Sequence, residues 1–112
     1  MTKWEVHMTD CIQIVTTVET KDRASAIAKK NIEEHLGACV QTAGPISSLY
    51  WWRGKMESAE EWYCIIKTTA EKYEQVEHTI RAIHSYDEPE IVAFPIIAGS
   101  RSYLQWIQDS TK

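Results

Sequence analysis

The chain has 112 residues, which suffices for one domain with a single modest core and excludes a multidomain arrangement. Hydrophobic residues make up 44% and charged residues 25%, as in ordinary globular domains, so disordered and fibrous classes are excluded. The net charge of -4 at pH 7 is spread along the sequence, and no apolar run approaches the roughly 18 residues of a membrane-spanning helix, so neither nucleic acid nor a membrane is an expected partner.

The first half of the chain predicts a strand, a helix and a second strand. β-branched and mostly apolar residues fill the strand segments, while apolar residues recur at helical spacing in the segment between them. Thr20 or Asp22 is expected to cap the helix, and Gly37 to end it. The turn residues Gly44 and Pro45 are expected to break the second strand. The predicted spans are residues 11–18, 24–36 and 39–42.

An aromatic hairpin dominates the middle of the chain. Three adjacent aromatic residues at 50–52 run into a turn at 53–55, and strand-like residues resume at 62–68. This aromatic surface exceeds what one small core needs, so we expect the hairpin to pack against another molecule. A helix, a strand and a short helix follow, at about 71–85, 91–97 and after Ser100.

The order strand, helix, strand, strand, helix, strand predicts an α+β fold of the ferredoxin-like sandwich class, with an extra C-terminal helix. Two helices cover only one face of such a sheet. On the first and last strands, however, both alternating sets of residues are apolar. An exposed apolar face of that size is unusual for a soluble monomer, so the sequence predicts an oligomer.

Six short motifs occur in order over most of the chain. They are Leu36-Gly37-Ala38-Cys39-Val40, Ser48-x-Tyr50-x-Trp52-x-Gly54-Lys55, Glu61-x-x-x-Ile65-Ile66-Lys67-Thr68, His84-x-Tyr86-x-x-Pro89-Glu90, Pro95-Ile96 and Tyr103-Leu104-x-Trp106. Together they resemble the CutA divalent-cation tolerance family. The resemblance implies a homotrimer in which the long hairpin strands pair across subunits, with an architecture similar to PII-type signalling proteins. It also implies tolerance of copper and other divalent metals, by metal binding or signalling, with no required cofactor and no established reaction.

The resemblance further implies a copper site formed by Cys39 and His84. Copper prefers thiolate and imidazole ligands, so these residue types suit it. Some relatives add a cysteine on the first strand, where this chain has Thr16, so a site of that composition lacks one soft ligand. Two alternatives stay open, since Cys39 would also serve as a small buried residue and His84 as a helix-terminal imidazole.

A second group of residues predicts a cleft for a small anion. Lys67 lies in an otherwise apolar strand, and Glu61 and Glu90 are its expected carboxylate partners. The resemblance places this cleft between subunits, with aromatic residues as its walls. The predicted ligand-binding residues are Tyr50, Trp52, Glu61, Lys67, Tyr86 and Glu90. The alternative is a buried polar network that sets strand register and trimer contacts.

Two tryptophans depart from the pattern of the family. Trp51 and Trp62 are bulky at positions where relatives vary, and Ser85 replaces a proline that is common there. The tryptophans would form either a docking patch for an unknown protein partner or extra packing in the trimer. Both kinds of interface are enriched in tryptophan, and we favour packing.

The sequence predicts that the protein is not an enzyme. An activated thiol needs a nearby base, and Cys64 with His84 or His35 is the candidate pair. There is no nucleophile elbow, no phosphate-binding glycine loop and no H-E-x-x-H motif in the sequence.

The compartment is predicted from the cysteines and the first residues. The three cysteines are far apart and include no C-x-x-C pair, which argues against a secreted disulfide framework. Residues 1–10 lack the pattern of a signal peptide. We therefore expect a cytoplasmic protein, with a flexible N-terminal segment at 1–10 and the folded domain at 11–112.

Overall fold

A computed structural model describes residues 9–112 of the chain. Residues 1–8, and with them most of the flexible segment predicted at 1–10, lie outside the described part. The described residues form four strands and three α-helices in the predicted order. These are β1 (Cys11–Val18), α1 (Lys21–Glu33), β2 (Cys39–Trp52), β3 (Lys55–Thr69), α2 (Tyr73–Ile83), β4 (Ile91–Pro95) and α3 (Arg101–Ser110), with a 3₁₀ turn at Ala70–Lys72 leading into α2.

The strands form one antiparallel sheet in the order β2-β3-β1-β4. This order is that of a ferredoxin-like sandwich, so the predicted fold class is confirmed. β1 pairs with β3 only over residues 62–69, whereas β2 and β3 pair with each other almost to the turn. The part of the hairpin at residues 46–61 therefore projects beyond the rest of the sheet, and we call it the hairpin arm.

The hydrophobic core lies between one face of the sheet and the helices α1 and α2. Side chains alternate along a strand, so every second residue of β1 and β3 points toward the helices. Ile14 and Ile66 on the strands are fully buried there, as are Ile27 and Ile80 on the helices. Burying a side chain of this size contributes about 1.5–3 kcal/mol. The helices are thus held by the apolar faces that their periodicity predicts.

The ends of α1 agree only partly with the sequence. Thr20 caps the helix as predicted, because its hydroxyl accepts a hydrogen bond from the backbone N–H of Arg23 at 3.1 Å. The helix ends at Glu33, before the predicted Gly37, and the residue in the left-handed region beyond its last turn is His35, with a φ of 57°. Gly37 is required by packing instead, since a Cβ there would lie 2.9 Å from Cγ2 of Ile66.

The pairing of β2 is interrupted at residues 44–45, where the sequence predicts a break, but the strand continues through this point as a bulge. The pairing register shifts between Ala43 and Ile46 and then resumes with β3. A residue in a bulge has no ladder partner, so a proline is tolerated there. Gly44 is needed because a Cβ at this position would lie 2.7 Å from the ring of Trp62. The bulge allows one strand to run from the core into the hairpin arm.

Within residues 9–112, the second face of the sheet is covered only at one end, by α3. Ile107 of α3 and Cys11 of β1 are both buried, and the Cys11 thiol points to the carbonyl of Leu104 at a Sγ–O distance of 3.7 Å. On β4, by contrast, Val92 and Phe94 stay exposed, and Phe94 keeps 53% of its surface accessible. The sheet therefore has the second apolar face that the sequence predicts.

Candidate functional site

A cleft of about 690 Å³ opens where the hairpin arm leaves the sheet. Its walls come from the end of β1, the hairpin arm and the loop between α2 and β4. Five of the six residues predicted to bind a ligand line it, although they come from separate segments. These five are Tyr50, Trp52, Glu61, Tyr86 and Glu90. Concave sites of this size, with aromatic walls and convergent polar groups, are typical of small-molecule pockets.

Glu61 supplies a buried carboxylate to this cleft, since only 6% of the residue is exposed. Its Oε2 accepts a hydrogen bond from the Tyr86 hydroxyl, with 2.9 Å between the two oxygens. Burial, reinforced by this bond to the carboxylate, raises the pKa of Tyr86 above its ordinary value. The phenol therefore remains protonated at neutral pH and acts as the donor in this pair.

His84 ties the loop after α2 to the end of β1. Its Nδ1 lies 3.1 Å from the backbone nitrogen of Tyr86, and its Nε2 lies 2.7 Å from the carbonyl oxygen of Thr17. A backbone N–H only donates, so Nδ1 is the acceptor and Nε2 carries the proton given to Thr17. The His84 and Tyr86 rings also pack, with centroids 4.8 Å apart. His84 thus positions Tyr86, which in turn holds Glu61.

Lys67, the sixth predicted ligand-binding residue, does not line this cleft. It is six positions further along β3 than Glu61, which corresponds to roughly 20 Å of strand. Its Nζ donates to Oε1 of Gln41 at 2.9 Å and lies 5.8 Å from the centre of the Tyr103 ring. The expected pairing of Lys67 with Glu61 or Glu90 is therefore not formed within one copy of the chain, and the roles of all six residues stay predictions.

Cys39 and His84, the copper ligands implied by the resemblance, lie toward opposite ends of the sheet. Cys39 begins β2 directly across from Lys67, whereas His84 contacts Thr17 near the end of β1. Strand rise and spacing separate the two positions by roughly 15 Å, too far for one ion. Among the described residues, no group of three or more His, Cys, Asp or Glu side chains is arranged to hold a metal ion. A copper site shared by Cys39 and His84 does not fit one copy of the chain, and their metal-binding role stays a prediction.

The thiol–imidazole pairs considered for catalysis are not formed among the described residues. Cys64 is buried in the core, with its Sγ 3.8 Å from the carbonyl oxygen of Ala24. Burial raises the pKa of Cys64 to about 12, so its reactive thiolate is scarce at neutral pH. His84 is engaged as described, and the Nδ1 of His35 lies 3.4 Å from the carbonyl oxygen of Ser110.

The cleft also holds acidic residues that the sequence reasoning missed. Asp87 and Glu88 line it, although the Asp-Glu-Pro run to which they belong predicts only the end of a helix. Their position between Tyr86 and Glu90, two residues that match the family, is the signal that would have pointed to them. Thr17 lines the cleft as well, and nothing in the sequence singles it out.

This geometry defines a ferredoxin-like domain with a long aromatic hairpin and a ligand-sized cleft at its base. The sequence profile described as CutA1 divalent ion tolerance protein matches residues 12–110. The chain belongs to this family.

Relatives with solved structures share both sequence and fold. The divalent-cation tolerance protein CutA of Archaeoglobus fulgidus is 40% identical over 99 residues, which cover 88% of this chain and 96% of the relative. Its structure matches with a TM-score of 0.88, covering 91% of this chain and 99% of that one. CutA of Xylella fastidiosa matches with a TM-score of 0.90 at 31% identity, covering 93% of this chain and 100% of the other. The family predicted from the sequence is therefore confirmed.

The prediction of a cytoplasmic location is wrong. The Archaeoglobus fulgidus structure is described as that of a periplasmic protein. A relative from Oryza sativa, 38% identical over 101 residues that cover 90% of this chain and 57% of the relative, is described as chloroplastic. Compartment is set by targeting segments, so the composition of the folded domain does not determine it. No helix in residues 9–112 is long and apolar enough to cross a membrane.

Proposed function

We propose that this chain acts in divalent-cation tolerance as a non-catalytic protein that signals, in the manner of PII-type proteins, by binding a small ligand in the cleft at the base of the hairpin arm. One observation carries the proposal: five residues predicted independently of the structure line a single cleft. Direct binding of copper by Cys39 and His84 is the alternative.

The hydrogen bonds of His84 favour ligand binding in the cleft over copper binding by Cys39 and His84. Both ring nitrogens already make hydrogen bonds, to the backbone of Tyr86 and of Thr17. Copper binding at either nitrogen would break one of these bonds and loosen the loop that carries Tyr86. A metal ligand normally keeps one ring nitrogen for the ion and uses the other for an orienting partner. His84 therefore suits a positioning role.

We expect the double variant Cys39→Ala/His84→Ala to retain most of its copper tolerance, because no copper site depends on that pair within one copy. The assay is growth in inhibitory copper of a bacterial host that lacks its own divalent-cation tolerance protein and expresses each variant. Glu61→Gln, which removes the buried charge of the cleft, is expected to lower tolerance.

Copper titration and thermal melts complete this test. Titration with Cu(I) and Cu(II) should give affinities for the wild type and the double variant that agree within about threefold, a difference of under 1 kcal/mol. Melts verify that each variant is folded. A double variant that loses tolerance and copper affinity together, beside a Glu61→Gln variant that keeps tolerance, would establish copper binding as the function.

We also infer that the protein works as a homotrimer. Trp51 and Met56 face each other across the end of the hairpin arm and keep 75% and 64% of their surface exposed. β2 is an edge strand, and edge strands with unpaired backbone groups readily pair with another chain. The hairpin arm thus offers backbone and apolar side chains to a second copy.

Native mass spectrometry of the wild type at micromolar concentration should show a trimer. The Trp51→Ser/Met56→Ser variant should shift the population toward monomer, because it removes apolar surface from the interface. Ile32→Ser is the matched control, since Ile32 is an exposed apolar residue on α1, away from the hairpin arm. A monomeric wild type would refute the trimer. Equal effects of the two variants would show that the hairpin arm is not part of the interface.

A further inference from the structure

The ionisable side chains that line the cleft are all acidic apart from Tyr50 and Tyr86. Glu61, Asp87 and Glu88 are joined by Glu90, and no lysine, arginine or histidine within residues 9–112 lines the walls. The small anion expected from the sequence depended on Lys67, which lies elsewhere. Like charges repel, so this cleft favours a cation.

Glu61 lacks a countercharge in the described part of the chain. Its carboxylate is buried, and the one side-chain hydrogen bond that it receives from residues 9–112 comes from the neutral phenol of Tyr86. None of the ion pairs formed within residues 9–112 includes it. A buried carboxylate is costly unless it is paired with a positive group. The missing positive group is the feature that a bound ligand would supply.

The arrangement of the acidic groups argues against a metal ion as that ligand. Chelation needs several ligand atoms that converge on one point, and no three acidic, histidine or cysteine side chains within residues 9–112 do so. The negative charge is spread around a cleft of about 690 Å³ instead. Such a site suits a cation that is larger than a metal and contacts one carboxylate at a time.

The aromatic walls suit an organic cation. Tyr50, Trp52 and Tyr86 line the cleft beside Glu61, and aromatic faces attract ammonium groups through cation–π contacts. The chain itself illustrates this chemistry, because the guanidinium of Arg53 lies 5.2 Å from the centre of the Trp52 ring. The same group lies 3.9 Å from an Asp87 carboxylate oxygen. A cation between an aromatic face and a carboxylate is thus already present at the edge of the cleft.

We infer that the cleft binds a small organic ammonium ion, held by the aromatic faces of Tyr50 and Trp52 and neutralised by the buried carboxylate of Glu61. This inference rests on the proposed function and specifies its ligand class. Tyr86 acts as a positioning residue, because its hydroxyl orients Glu61 and its own backbone is held by His84.

The test is isothermal titration calorimetry of the assembled protein at constant ionic strength. The two probes are choline and dimethylbutanol, an isostere in which an uncharged carbon atom replaces the charged nitrogen of choline. Choline should bind saturably and at least tenfold more tightly than the isostere. Glu61→Gln should weaken choline binding at least tenfold, because the amide can still accept from Tyr86 but carries no charge. Glu60→Gln is the matched control, an exposed glutamate one position away on β3 whose loss should change the affinity less than twofold.

A variant of an aromatic wall residue provides a second test of choline binding, independent of Glu61→Gln. Trp52→Leu, which keeps all charges, should also weaken choline binding, so a poorly folded Glu61→Gln protein does not prevent a result. Equal binding of choline and its isostere, or no binding of either, would overturn the inference. Binding that occurs only in Lys67→Gln would overturn it too, because Lys67 of a neighbouring copy would then be the countercharge of Glu61. The growth assay reports separately on the proposed function, which survives if Glu61→Gln loses copper tolerance while choline fails to bind.

Discussion

Replacing Ile80 with alanine is expected to lower the free energy of unfolding by about 2–5 kcal/mol. Ile80 is fully buried in the second half of α2, where it packs with the core residues of β1, β3 and α1. Alanine removes three carbon atoms and leaves a cavity that close-packed neighbours fill only partly. Chemical denaturation followed by circular dichroism gives the value, with all proteins at one concentration because association contributes to stability.

Ile32→Ala is the matched control for this prediction. Ile32 lies on α1 with 43% of its surface exposed, so the same change of side chain leaves no closed cavity. Its expected cost is under about 1 kcal/mol. Equal losses in the two variants would show that the α2 face is not packed against the sheet as described.

The substitution of threonine by valine should have opposite effects at two buried sites. Thr16 on β1 is fully buried, and its hydroxyl oxygen has no hydrogen-bond partner within the described residues. Thr68 on β3 is equally buried, but its hydroxyl donates to the carbonyl of Leu36 at 2.6 Å. We expect Thr16→Val to raise the free energy of unfolding by about 1 kcal/mol, and Thr68→Val to lower it by about 1–3 kcal/mol.

Each of these valine variants serves as the control for the other, because the change in shape is the same. Thermal and chemical denaturation of both, together with the double variant, gives the two effects and their sum. The sites lie on different strands without a shared partner, so the effects should add to within about 0.5 kcal/mol. A destabilised Thr16→Val protein would mean that its hydroxyl has a partner, such as a buried water.

The contacts of His84 explain how the fold and the cleft depend on each other. The Nε2–H of His84 donates to the carbonyl of Thr17, the backbone N–H of Tyr86 donates to Nδ1 of His84, and the Tyr86 hydroxyl donates to Glu61. The end of β1 thereby determines where the buried carboxylate lies. In this arrangement His84 supports the cleft through its contacts and need not bind a metal itself.

Much of the architecture could be predicted because it depends on local patterns. The bounds of β1, the cap at Thr20 and the inner face of α2 follow from residue type and spacing. The bulge in β2 could not be predicted, because Gly44 is required by the nearby ring of Trp62, which belongs to another strand.

The sequence by itself determined the fold class, the family and five of the eleven residues that line the cleft. The fold class follows from the periodicity of the apolar residues. The family and the cleft residues follow from motifs that occur in a fixed order along the chain. Only the tertiary structure decided which of those residues meet. Strand pairing separates Cys39 from His84, and the loop after α2 brings Asp87 and Glu88 into the cleft. The sign of the charge in a site depends on which side chains converge in space, and that is decided by strand pairing between distant parts of the chain.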